Sequence, residues 1–122
     1  MSNKNEKTIP TAWLTAYART FSDIPFSKDI FREFEKIRGL KGESMPEELK
    51  MVAVSPQVES RYKLTNFCLN QTGITQIFEV AAGLSPRGLD MTSNLSTKYV
   101  EFDLPDISEE KKTIINLSLI HI

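Results

Sequence analysis

Thr75 to Pro105 reads TQIFEVAAGLSPRGLDMTSNLSTKYVEFDLP, and its order of residue types predicts strand, tight turn, short helix, strand. Gln76 to Val80 is apolar and β-branched, the composition of a pleated, packed segment. It ends in Ala81-Ala82-Gly83, residues small enough to let backbone approach a ligand closely. Ser85-Pro86-Arg87 opens a short crossover helix, Met91 to Thr97 returns as a polar loop, and Lys98 to Asp103 supplies the second strand. Asp103 lies 20 residues beyond Gly83, close to the roughly 20 that separate a nucleotide-binding turn from the acid that accepts ribose hydroxyls. The expectation is the first βαβ unit of a nucleoside-binding, Rossmann-like sheet.

Upstream the pattern is helical, and residues 11–73 read as a helical cap behind a flexible N-terminus over residues 1–10. Trp13, Tyr17 and Phe21 recur at helical spacing until Ser22-Asp23-Ile24-Pro25 stops them. Ser27 is placed to cap a second helix whose Ile30, Phe31, Phe34 and Ile37 share one face, ended by Gly39. Gly42 to Pro46 reads as a loop, with a short helix from Pro46 to Val54. Ser55-Pro56 then opens a longer helix with Val58, Tyr62, Thr65 and Leu69 in a stripe and Gly73 as its stop. Cys68 beside that stripe reads as a buried, inert thiol, since no histidine lies near to activate it. Downstream, Asp106-Ile107-Ser108-Glu109 resembles a capping box opening a helix through Lys111 and Ile115.

The chain has 122 residues, 40% hydrophobic and 25% charged, which is the composition of one ordinary globular domain. Its net charge of −1 supplies no field to recruit nucleic acid or an anionic membrane. No apolar run approaches the ~18 residues of a membrane span, and no secretory signal follows Met1, so a cytoplasmic location is expected. One cysteine, Cys68, and one histidine, His121, exclude an intrachain disulfide and leave no zinc-ligand cluster.

Glu79-x-Ala81-x-Gly83 is a weak motif alone, and its position between an apolar strand and a turn gives it value. Glu101 and Asp103 are two apart and share one side of a regular strand. Asp103, at the carboxyl end, is the first candidate for a ribose ligand, and Glu101 is the reserve. Arg61 comes from the helix that immediately precedes the first strand.

Glu79-Val80-Ala81-Ala82-Gly83-Leu84-Ser85-Pro86-Arg87 and Tyr99-Val100-Glu101-Phe102-Asp103-Leu104-Pro105 resemble the first two motifs of class I S-adenosylmethionine-dependent methyltransferases. More narrowly they resemble the leucine carboxyl methyltransferase-like branch, whose bacterial members include O-methyltransferases of polyketide biosynthesis. The likeness extends through Arg61-Tyr62-Lys63 and, loosely, to Thr11-Ala12 and Arg19. The chain departs from the family's Gly-Ala-Gly turn in having Ala81 for the first glycine, and has Ser85-Pro86 where the family has Asp-Thr.

The resemblance implies S-adenosylmethionine as cofactor, Arg61 on its carboxylate, Glu79 toward its ammonium, Gly83 backbone along the methionine part and Asp103 on the ribose. It implies a methyl acceptor that is a small molecule or bears a carboxylate, and no catalytic base is apparent. A cofactor sheet ordinarily has ~5–6 strands, and the apolar Leu117 to Ile122 resembles translated adapter sequence. The expected whole is therefore the N-terminal part of a longer enzyme: an α/β chain with residues 74–122 starting an incomplete Rossmann-like domain, inactive alone. Strand residues Ile77, Val80, Val100 and Phe102 should be left partly exposed. A rival reading is a non-catalytic nucleoside- or protein-binding α/β module; an NAD enzyme is disfavoured because the glycine spacing differs from the dinucleotide fingerprint.

Overall fold

The computed structural model describes residues 11–38, 55–93 and 96–118. Their elements run α1 (Thr11–Arg19), α2 (Ser27–Arg38), α3 (Ser55–Thr72), β1 (Gln76–Val80), α4 (Arg87–Thr92), β2 (Lys98–Phe102) and α5 (Pro105–Ser118). The architecture is mixed α/β, mostly helical, with a two-stranded parallel sheet. The short helix expected up to Val54 lies outside the described residues. No described helix is long and apolar enough to cross a membrane.

Helix α1 buries Trp13 and Ala16 and ends before Phe21, which is half exposed and meets Tyr17 edge-on at 5.2 Å. The Thr20 and Ser22 hydroxyls donate to the Tyr17 and Arg19 carbonyls, both at 2.6 Å, and so satisfy groups the ending helix leaves open. Ser27 is not the cap of α2 that its residue type predicts. Its hydroxyl donates backward to the Ile24 carbonyl at 2.8 Å, and the Phe26 carbonyl accepts from the Ile30 N–H at 3.0 Å. Ile30, Phe31 and Phe34 of α2 then pack with Trp13, Ala16, Leu84 and Ile114 into one core, shared by the helical segment and the strand-bearing segment.

The predicted bounds of α3 hold: it starts at Ser55 and is followed by Gly73 at φ 67°. Tyr62 is its buried anchor. Cys68 is exposed, contrary to the expected burial. Six residues past Tyr62 is about 240° round a helix, so the thiol leaves the packed side.

β1 and β2 pair in register from Gln76↔Lys98 to Val80↔Phe102, with α4 as the crossover. Side chains alternate between faces. Ile77, Glu79, Tyr99 and Glu101 are the partly buried set; Phe78, Val80, Val100 and Phe102 stand exposed. Val80, Val100 and Phe102 are thus exposed as expected, Ile77 is partly exposed on the opposite face, and Phe78 joins the exposed row. Gly88 lets α4 close onto β2, since a Cβ there would lie 2.7 Å from Glu101 Oε1 and 3.1 Å from Tyr99 Cδ1.

The turn after β1 has Ala81 at φ 56° and Gly83 at φ 53°. Left-handed backbone costs a non-glycine residue about 1–2 kcal/mol, and glycine's greater freedom when unfolded offsets about half of that. Ala81→Gly should therefore raise stability by about 0.5–1 kcal/mol in urea unfolding; a loss of stability would show that the Ala81 methyl group is needed for packing.

Candidate functional site

The turn Ala81–Leu84 and the segment after β2 meet just beyond the carboxyl ends of the two strands. The Gly83 N–H donates to Asp103 Oδ2 at 2.6 Å, and the Leu104 N–H donates to Asp103 Oδ1 at 2.7 Å. An ionised carboxylate has about four acceptor positions, so two remain for a ligand. Beside this pair is a cavity of about 340 Å³, bounded by Ala12, Thr15 and Arg19 of α1, the turn, Asp103 and Ile107.

Thr15 and Arg19 also border a second cavity, about 270 Å³, with Arg61, Tyr62 and Arg87 around it. Arg87 is held there by three groups. Its Nη1 donates to Glu79 Oε1 at 2.7 Å, its Nε donates to Asn66 Oδ1 at 2.8 Å, and its guanidinium carbon stands 4.6 Å from the Tyr62 ring centre. Among the described residues neither Arg19 nor Arg61 is paired with a carboxylate, and the buried Nε of Arg19 has no hydrogen-bond partner. Burial holds the Arg19 guanidinium below the ordinary arginine value, with the Arg87 charge adding to that effect and Tyr62 and Glu79 opposing it. A mostly buried cation with an unused donor is suited to an anionic group.

Gly83 and Asp103 are thus brought into direct contact, and Arg61 stands at the adjoining cavity. Glu79 points to the helix side of β1 and borders neither cavity; the Tyr99 hydroxyl donates to its Oε2 at 2.5 Å while Arg87 holds Oε1. Glu101 turns the same way. Its Oε2 accepts from Lys111 Nζ at 2.6 Å, and it shares a smaller cavity of about 160 Å³ with Gly83 and Asp103.

Lys111 is the feature that residue spacing left unread. It is 5% exposed and also donates to the Ser85 carbonyl at 2.6 Å, tying α5 to the turn and to β2 at once. Desolvation depresses its pKa, against the pull of Glu101. The signal was present: Lys111 falls at i+4 from Ile107 and i−3 from Ile114, on the inward stripe of α5, where a cation needs a buried acid. Arg19 had a weaker signal, a single basic residue in the last turn of α1.

No family model matches the chain, and no curated protein or solved structure matches it.

Proposed function

We propose that the chain is the N-terminal part of an S-adenosylmethionine-dependent O-methyltransferase whose β1-α4-β2 unit begins a Rossmann-like cofactor sheet. The observation that carries this reading is the Gly83–Asp103 hydrogen bond at the carboxyl ends of two parallel strands, opening on a cleft that leads to Arg19 and Arg61, neither of which has a carboxylate partner among the described residues. Ligands of open α/β sheets bind at that end. The residues present fit the cofactor. Asp103 retains acceptor capacity for ribose hydroxyls, the Ala81–Gly83 backbone lies along the cavity, and Arg19 with Arg61 offers donors for a carboxylate.

In this reading Glu79 acts through Arg87, which it holds against Tyr62, rather than on the cofactor's ammonium. The bound cofactor supplies an electrophilic methyl group. The chain's part is to orient it and exclude water, and orientation is worth ~7–11 kcal/mol in a displacement between aligned partners. An acceptor carboxylate needs no base, whereas a hydroxyl does. The acceptor is a small molecule or carboxylate-bearing group, bound by the remainder of the enzyme.

Amide chemical shifts during titration with S-adenosylhomocysteine test the reading. Weak binding is expected, with shifts concentrated in Ala81–Leu84 and Asp103–Ile107. Unmoved amides there, or equal shifts with NAD, would end the proposal, and equal binding of adenosine alone would favour a nucleoside-binding module. Asp103→Asn should weaken binding tenfold or more, from loss of charge-assisted hydrogen bonds worth about 1.5–3 kcal/mol. Glu101→Gln should affect binding less, because that carboxylate faces Lys111. The reverse order would move the ribose contact to Glu101.

A further inference from the structure

The hydrogen bond at the mouth of the cleft, Gly83 N–H to Asp103 Oδ2, joins a turn and a strand end that local structure alone holds poorly. Ala81 is a left-handed residue other than glycine, at φ 56°, and such backbone persists only where its surroundings over-determine it. The tie from the Ala82 N–H to the Phe102 carbonyl is long, at 3.4 Å. Ser85, 2% exposed, ends the turn ahead of Pro86. Its carbonyl lies outside the ladder of α4, where the Asp90 N–H donates to the Pro86 carbonyl at 3.1 Å. A buried carbonyl left out of secondary structure needs a donor from elsewhere. Lys111 Nζ is that donor, at 2.6 Å, and the same ammonium group stands 2.6 Å from Glu101 Oε2.

We infer that Lys111 is a positioning residue for the cofactor, setting the spacing at which Gly83 meets Asp103; this rests on the methyltransferase reading. Ser85 stands two residues after Gly83, and Glu101 two before Asp103. The ammonium group therefore closes a ring that runs from Gly83 through Ser85, Lys111, Glu101 and Asp103 back to Gly83. A ring of that kind fixes the distance across its open side, where the ribose is to be held. Lys111 itself borders the cavity of about 160 Å³ and not the cleft of about 340 Å³, so it acts on the ligand through the turn. Stability does not account for it, because a buried ion pair is often no better than apolar residues of the same volume. Every member of the ring lies in this chain, so the chain itself can be tested.

Two variants separate positioning from scaffolding. Lys111→Met strands the Glu101 carboxylate and should lower the urea midpoint. Adding Glu101→Gln removes the stranded charge and should recover the midpoint, while the Ser85 carbonyl stays without its donor. In both variants S-adenosylhomocysteine should bind about tenfold more weakly, as when the competent turn is populated about a tenth of the time. The Gly83 amide of the ligand-free double variant should exchange with solvent about tenfold faster, since its bond to Asp103 opens more often. Affinity that follows stability across the two variants, a Gly83 amide unchanged in the double variant, or a double variant that does not fold would make Lys111 scaffold alone and overturn the inference. An unsubstituted chain that does not bind S-adenosylhomocysteine would instead end the methyltransferase reading, and the inference with it.

Discussion

Arg87→Met is expected to lower the stability of the chain by about 3 kcal/mol, read as a shift of the urea midpoint at constant slope. The Arg87 and Glu79 side chains are 12% and 17% exposed, so the substitution leaves a carboxylate in a largely dry place with Tyr99 as its remaining hydrogen-bond donor among the described residues. Breaking such a pair from one side costs about 3–5 kcal/mol, much of it the penalty of the stranded charge. The lower figure applies here because Tyr99 still donates and methionine keeps some contact with the Tyr62 ring. Glu79→Gln in the Arg87→Met background should recover part of the loss, since the charge goes with it. A loss below about 1 kcal/mol would mean that water reaches Glu79 freely and that Arg87 does not hold the wall of the arginine cavity.

Stability should also collapse steeply above pH 10.5. Burial pushes the Tyr62 hydroxyl up to about 12, and burial together with the adjoining Glu79 raises Tyr99 as well. Unfolded, both ionise near the ordinary value of 10.0. Between those values the folded chain holds protons that the unfolded chain has lost, so stability falls as pH rises, by up to about 1.4 kcal/mol per pH unit for each tyrosine. Lys111 works in the opposite sense. Its folded value lies below 10.5, so the unfolded chain holds its proton longer and stability gains with pH until 10.5, then no further. Urea midpoints between pH 9 and 12 should show the loss steepening once that gain ends, and Tyr99→Phe should roughly halve the slope. A flat profile from pH 10.5 to 12 would place both hydroxyls in water.

Local chemistry made several elements legible in the sequence. The apolar run Gln76–Val80, the Ser55-Pro56 opening and Gly73 stop of α3, and the Gly83-to-Asp103 spacing all correspond to what the fold contains. Each depends on residues close in sequence or on a spacing that one crossover unit imposes. What stayed hidden depends on packing. Which face of the sheet the helices would cover was not written in either strand, so the fuller exposure of Phe78, Val80, Val100 and Phe102 than of Ile77 could not be read from it. Glu79 and Glu101 read as ligand acids because their partners, Arg87 and Lys111, arrive from helices whose docking residue spacing does not specify. Cys68 was misread because its helix is anchored through Tyr62 on a narrow side.

The double grip of Lys111 gives α5 a say in the conformation of the turn. One ammonium group holds the Ser85 carbonyl and the Glu101 carboxylate together, so the loop after β1 cannot rearrange without either breaking that contact or dragging a turn of helix with it. Fraying of α5 and loosening of the turn are then one cooperative opening rather than two independent ones. A molecule that rests against Gly83 would quiet a helix it does not touch, and anything that clamps the outer face of α5 would sharpen the turn in return, because such coupling is reciprocal.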